Sequence, residues 1–274
     1  MKKLVTRTIT GIVLVLVMLT AILISRYSYA LLFLAIIIGG SAEFIGLFKN
    51  SDVKPNKWFI YLISILSFVS SFLAVQGILE FKYFFSIFPA IMLVMAGELF
   101  RKKEKPVENI AVSTFSILYI AIPLSLINFL VFPGQLHGND YAPKLLIALF
   151  ALIWTYDSGA YLFGVSMGKH RLFERISPKK SWEGAIGGTL TALVAAFAIS
   201  IYIPEIQLIH WIAISILTVI SSTFGDLTES MFKRYFGIKD SGSILPGHGG
   251  VLDRFDSLLF AVPVIVLYLK IIIE

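Results

Sequence analysis

Nine stretches of mostly apolar residues follow one another along this chain, at roughly 8–25, 28–48, 58–77, 82–100, 110–132, 144–168, 184–203, 208–232 and 255–273. Each is close to the ~20 residues that a helix needs to cross the hydrocarbon core of a bilayer. The pattern predicts an all-α polytopic membrane protein with about nine transmembrane helices. Composition agrees: 57% of the 274 residues are hydrophobic and 15% charged, where soluble domains carry about 25% charged residues. The first run follows Lys2, Lys3 and Arg7, as the core of a signal peptide would. It is longer than such a core, and the second run follows almost at once, so it reads as a retained helix. The chain has no cysteine, which removes thiol catalysis and thiolate metal sites.

Charge placement orients the spans. With the N-terminus inside, the inner segments collect all of the 23 Lys and Arg residues except Arg26, Lys82, Lys144 and Lys270. The positive-inside rule then predicts a cytoplasmic N-terminus and an outer C-terminus. It also accounts for the net charge of +6 without nucleic acid, by setting basic faces against anionic headgroups. No soluble domain is left over. The expected organisation is a group of membrane helices over 1–142 and a second membrane domain over 143–274. The second carries the two longest inner loops, about 169–183 and 233–254. Gly39, Gly40, Gly187 and Gly188 fall inside spans and read as close helix packing. Trp58, Trp182 and Trp211 lie near span ends and read as interfacial anchors.

Ionisable groups inside spans are costly and face a cavity or a partner. Glu43 and Glu98 sit near inner ends, where interfacial solvation suffices. Asp226 and Glu229 are three residues apart and share a helix face. Lys233 extends that face and can pair with Glu229. Asp253 and Asp256 open the last span from the same side, where Asp256 could also serve as a helix cap. Asp157 lies deeper in the sixth span. Carboxylates converging in a partly dry place repel one another unless a cation joins them. Asp226 and Asp253 are the leading candidates for such a site, with Asp256 and Asp157 as supplements. Oxygen ligands of this kind suit Mg²⁺ or another hard cation.

The segment from Lys239 to Asp256 is the most informative in the chain. Gly237, Gly242, Gly247, Gly249 and Gly250 crowd into or beside it, which lets a ligand approach backbone N–H groups closely. A loop of this kind running into a helix start is a plausible phosphate cradle. Lys233, Arg234, Lys239 and Arg254 add positive charge, and His248 stands between glycines. Basic residues alone would suit a solvated inner loop, but that does not explain the interleaved aspartates. The combination fits a metal-bound polyphosphate. In the other inner loop, Ser177-Pro178 favours a turn, and Lys179 and Lys180 can meet a phosphate as point charges. Such a run also suits a lipid-facing surface. His137, His170 and His210 have no supporting constellation.

The stretch from Ser230 to Asp256 resembles the signature of the phosphatidate cytidylyltransferase family, also called CDP-diacylglycerol synthases. The shared positions are Ser230, Phe232, Lys233-Arg234, Lys239-Asp240, Gly242, Leu245-Pro246, His248-Gly249-Gly250 and Asp253-Arg254-Phe255-Asp256. Upstream, Asp157-Ser-Gly-Ala-Tyr161 and Ser177-Pro-Lys-Lys-Ser-Trp-Glu-Gly184 are similar to family segments. The N-terminal half resembles the family mainly in hydropathy. The resemblance implies transfer of CMP from CTP to phosphatidate, giving CDP-diacylglycerol and pyrophosphate in phospholipid biosynthesis. It implies Mg²⁺ held by Asp226 and Asp253, a second monovalent cation such as K⁺, and a homodimer in the inner membrane with its site facing the cytoplasm. In that frame Lys233, Arg234, Lys239 and Arg254 would bind phosphates. His248, Gly249 and Gly250 would shape the nucleotide loop, and Ser177, Lys179 and Lys180 would meet the lipid phosphate. Two alternatives stand beside it: a cation- or proton-coupled transporter, which also displays buried carboxylates, and another CTP-dependent enzyme acting on isoprenoid-type lipids.

Overall fold

The apolar runs fold as helices whose ends are set by polar residues. A computed structural model of the chain describes residues 2–134, 140–242, 244, 247 and 249–272. Helix α1 (Lys2–Ile24) stops at Ser25, which caps α2 (Arg26–Leu47) through a reciprocal capping box with Ser28. Asn56 caps α3 (Lys57–Val75), its side chain accepting from the Phe59 N–H. A 3₁₀ turn (Phe81–Ser86) leads into α4 (Ile87–Phe100). Helix α5 (Pro106–Val131) contains a π-helical stretch at Ile117–Ala121 just before Pro123. Proline has no N–H to give to the helix ladder. Then come α6 (Lys144–Met167), α7 (Trp182–Tyr202), α8 (Leu208–Tyr235) and α9 (Leu252–Ile272).

Among the described residues, seven helices are long and apolar enough to cross a membrane: α2, α3 and α5 to α9. Thr8–Ile24 and Ile87–Phe100 are shorter apolar helices. The run expected at 82–100 is therefore divided. Its α-helical part has 14 residues, or about 21 Å at 1.5 Å per residue. The all-helical expectation also misses a small feature. The loop at 169–183 contains an antiparallel hairpin, β1 (Arg171–Phe173) with β2 (Ser177–Ser181), pairing Arg171 with Ser181 and Phe173 with Ser177.

The chain divides into two compact units, one of residues 1–141 with 240–255, the other of 142–239 with 256–274. Sequence order alone places the glycine-rich segment with the second half; compactness groups it with the first helices. The core of the first unit includes the fully buried Tyr29, Phe33, Ile37 and Phe68. Some of the polar groups inside it bond to one another. The Tyr29 hydroxyl donates to Asn128 Oδ1 (2.9 Å), and Asn128 Nδ2 donates to Ser71 Oγ (2.7 Å). Glu98 was expected to be solvated but is buried, accepting from Arg101 (2.6 Å) and from Asn109 Nδ2 (2.7 Å).

In the second unit, glycines bring α6 and α7 together. A Cβ at Gly184 would lie 2.7 Å from the Ala160 carbonyl oxygen, and one at Gly188 would lie 2.7 Å from that of Tyr156. Close packing at Gly187 and Gly188 is thus as expected. Helix α7 turns Ile186, Leu190, Val194, Phe197 and Ile201 outward, a stripe at three- and four-residue spacing that suits lipid. Trp58 and Trp182 are exposed as interfacial anchors would be, but Trp211 is 1% exposed. Its Nε1 donates to the Ile203 carbonyl (3.3 Å), so it is a core residue and not an anchor.

Candidate functional site

In the second unit, the hairpin and α8 bring a basic strand to an acidic helix. Ser181 ends β2 and caps α7, its hydroxyl accepting from the Gly184 N–H (3.1 Å). The residue before it, Lys180, places its Nζ 2.5 Å from Asp226 Oδ2. Asp226 Oδ1 also accepts from the Ser230 hydroxyl, one turn further along α8 (3.2 Å). Glu229 and Lys233 form the i,i+4 pair that their spacing allowed. Arg234 Nε donates to the Ile176 carbonyl in the hairpin turn (3.4 Å). Tyr156 on α6 shares a hydrogen bond with Thr223 on α8 (2.5 Å). Gly225 lets α8 approach the start of α9: a Cβ there would lie 2.5 Å from the Asp256 carbonyl oxygen. Asp256 is within electrostatic reach of Asp226, Asp157 and Lys233. Three carboxylates and two lysines thus share one region. Ser177 is half-buried and Lys179 exposed on β2.

In the first unit, the glycine-rich segment folds around two carboxylates. Asp253 Oδ2 accepts from the Gly250 N–H (2.7 Å), the Ser241 N–H (2.9 Å) and the Ser241 hydroxyl (3.0 Å). Glu43 Oε2 accepts from the Leu252 N–H (2.9 Å) and the Ser241 hydroxyl (3.3 Å). The glycines make room for these groups. Gly249 has φ +84°, and a Cβ on it would collide with the Asp253 carboxylate. Side chains at Gly242 or Gly250 would strike the Glu43 carboxylate. Glu43 was expected to be solvated at the membrane interface; it is 7% exposed. The residues that seat it were visible as a pattern. Gly39, Gly40 and Glu43 share one face of α2, and a Cβ on either glycine would lie 3.3 Å from the Val251 or Leu252 side chain.

Lys239 and Arg254 are exposed, and among the described residues neither has a carboxylate at ion-pair distance. His248, with Leu245 and Pro246, lies outside the described residues, as does His137. Two other histidines have partners: His170 Nδ1 lies 2.6 Å from Glu183 Oε1, and His210 Nδ1 lies 3.0 Å from the Tyr268 hydroxyl. The donor chemistry around Asp226 is that of a hard cation, carboxylate oxygen throughout. Among the described residues no three His, Asp or Glu side chains converge into a ready-made cage. Lys180 supplies the balancing charge at Asp226.

Relatives share long stretches of this sequence. A Haemophilus influenzae protein named phosphatidate cytidylyltransferase is 52% identical over 132 residues, 46% of each chain. A Staphylococcus aureus protein of that name is 38% identical over 183 residues, 66% of each chain. One from Staphylococcus saprophyticus is 47% identical over 123 residues, 44% of this chain and 46% of its own. The shared stretches span about half to just under two thirds of these relatives. The sequence pattern of the Cytidylyltransferase family reaches much further, matching residues 5–272. From its first helix to its last, the chain belongs to the cytidylyltransferase family.

Proposed function

We propose that this protein is a phosphatidate cytidylyltransferase of the inner membrane, converting CTP and phosphatidate to CDP-diacylglycerol and pyrophosphate. The observation that carries the reading is the Lys180–Asp226 pair beside Asp157 and Asp256, in a chain of this family. Carboxylates among apolar helices would also suit a cation carrier, but the family match favours nucleotidyl transfer.

The chemistry follows from the substrates. A phosphate oxygen of phosphatidate attacks the α-phosphorus of CTP, forming the new P–O bond. The bond from that phosphorus to the oxygen bridging to the β-phosphate breaks, and pyrophosphate leaves with the electron pair. A phosphomonoester is largely dianionic near neutral pH, its second pKa being about 6, so no strong general base is needed. The difficulty is to bring two anions together and to stabilise charge on the leaving group, which is a matter of positioning and electrostatics. Lys239 and Arg254 bind the CTP phosphates, together with Lys233 and Arg234. Gly249, Gly250 and His248 shape the nucleotide loop. Ser177, Lys179 and Lys180 receive the phosphatidate headgroup. Asp226 and Asp253 would hold Mg²⁺, with Asp157 and Asp256 in support. A bound divalent ion supplies charge neutralisation at the polyphosphate. A monovalent cation such as K⁺, a homodimer and a cytoplasm-facing site belong to the same proposal.

Purified protein in detergent micelles is given labelled CTP, phosphatidate and Mg²⁺. Labelled liponucleotide and pyrophosphate should appear in equal amounts. Absence of both products from folded protein overturns the reading. Faster turnover of an isoprenoid lipid phosphate transfers it to another lipid class.

A further inference from the structure

We infer that Glu43 is a positioning residue for the reaction: from the second helix it clamps the glycine-rich loop at both ends and thereby fixes Asp253. The inference rests on the reading of that loop as the CTP-binding segment. It assigns a role to the N-terminal helices, whose sequence offers little beyond hydropathy.

The geometry is specific. One carboxylate oxygen, Glu43 Oε2, receives the Ser241 hydroxyl where the loop begins and the Leu252 N–H where it ends. A serine hydroxyl has a single proton to donate. Ser241 Oγ lies between Glu43 Oε2 at 3.3 Å and Asp253 Oδ2 at 3.0 Å, so the two carboxylates compete for it. Asp253 is held in turn by the Ser241 and Gly250 amides. The ends of the loop and the Asp253 side chain are therefore one hydrogen-bonded unit, with Glu43 as its fixed point. Glu43 is buried, and glycine at 242 and 250 is what permits the approach. Its other oxygen, Oε1, is also buried and has no hydrogen-bond partner among the described residues. A purely structural tie would be served as well by an apolar side chain against Leu252. A carboxylate in this place is costly, and what it gains is control of backbone amides beside Asp253.

Two variants separate the clamp from the charge. Glu43→Gln keeps an acceptor oxygen for Leu252 and Ser241; Glu43→Ala removes it. Each is made in the full chain, purified in micelles, and assayed with CTP and phosphatidate varied separately. Backbone hydrogen exchange is followed without substrate. Glu43→Ala should raise the KM for CTP by about tenfold, the scale of a lost hydrogen bond to a charged group, with the KM for phosphatidate unchanged. Peptides covering Ser241, Gly250 and Leu252 should exchange faster, while those from α6 and α7 do not. Glu43→Gln should stay close to the parent chain in both measurements. Unchanged CTP affinity together with unchanged loop exchange in folded Glu43→Ala overturns the inference. So does Glu43→Gln behaving like Glu43→Ala, since charge alone would then matter. If Glu43→Ala does not fold, Glu43→Asp withdraws the carboxylate by one methylene and should reproduce the loss. If the parent chain makes no liponucleotide, the functional reading fails, and the exchange data still decide whether Glu43 holds the loop.

Discussion

A carboxylate among membrane helices persists only with compensation, and the form that compensation takes separates the acids of this chain. Glu229 has Lys233 on its own helix and Glu98 has Arg101, so both pairs were open to a reading of spacing. Asp226 instead has Lys180, carried by a different element. In the proposed reaction a cation takes Asp226 while a phosphate takes Lys180. Asp226→Asn should therefore lower turnover by two orders of magnitude or more, the scale on which loss of an electrostatic stabiliser acts. The variant should remain folded, because the Ser230 hydroxyl still finds an acceptor. Substantial Mg²⁺-dependent turnover by the purified variant would remove Asp226 from the site. Asp226 was legible because a charge in an apolar run draws notice. Glu43 was misread because it stands near a helix end, where water seemed enough, while its partners lie at the far end of the chain. No local pattern records such a partnership, although the two glycines on the same face of α2 hint at a close approach.

At the scale of elements, the helices were legible from the length of their apolar runs and the hairpin was not. Strands of three and five residues, with Pro178, Lys179 and Lys180 in the second, show no alternation that would distinguish them from a loop. What forms them is closure between the end of α6 and the capped start of α7. The glycines of α7 were better signals. Gly184 and Gly188 stand four apart, the spacing at which small residues let helices meet in lipid. The structure makes a sharp contrast among glycines. A methyl at Gly188 meets the Tyr156 carbonyl oxygen at 2.7 Å, whereas one at Gly46 meets nothing within 4 Å. Backbone cannot swing aside as a side chain can. Gly188→Ala should lower stability by about 1–3 kcal/mol, the usual cost of overpacking. Gly46→Ala should be neutral or slightly stabilising, since alanine is the better helix former. Thermal unfolding of both variants in the same detergent checks this; equal midpoints would mean that α6 and α7 do not pack as closely as described.

At the scale of the whole molecule, orientation depends on whether α4 crosses the bilayer, because each crossing reverses the side of everything after it. The α-helical part is short, at 14 residues about 21 Å, against a hydrocarbon core of about 30 Å. The preceding 3₁₀ turn has 6 residues, and a rise of about 2 Å per residue adds about 12 Å. Together they are long enough to cross. Charge agrees, since Glu80 precedes the segment, Lys82 lies in its first turn, and Arg101, Lys102, Lys103 and Lys105 follow it. The asymmetry predicts that the following loop lies inside. The chain has no cysteine, so single cysteines can report sidedness without background. Cysteine replacing Glu80 or Glu205 should react with a membrane-impermeant maleimide only from outside intact cells. Cysteine replacing Lys103 or Arg175 should react only in inverted vesicles. All four positions are exposed, so lack of labelling would reflect sidedness and not burial. If Glu80 and Lys103 report the same side, α4 does not cross. Because α5 and α6 return the chain to the side of Lys103, the hairpin and the last turns of α8 would then lie with Lys103 and Glu80 on the outer side. A site built on Lys180 and Asp226 would in that case face away from cytosolic CTP, and the proposed reaction could not occur there.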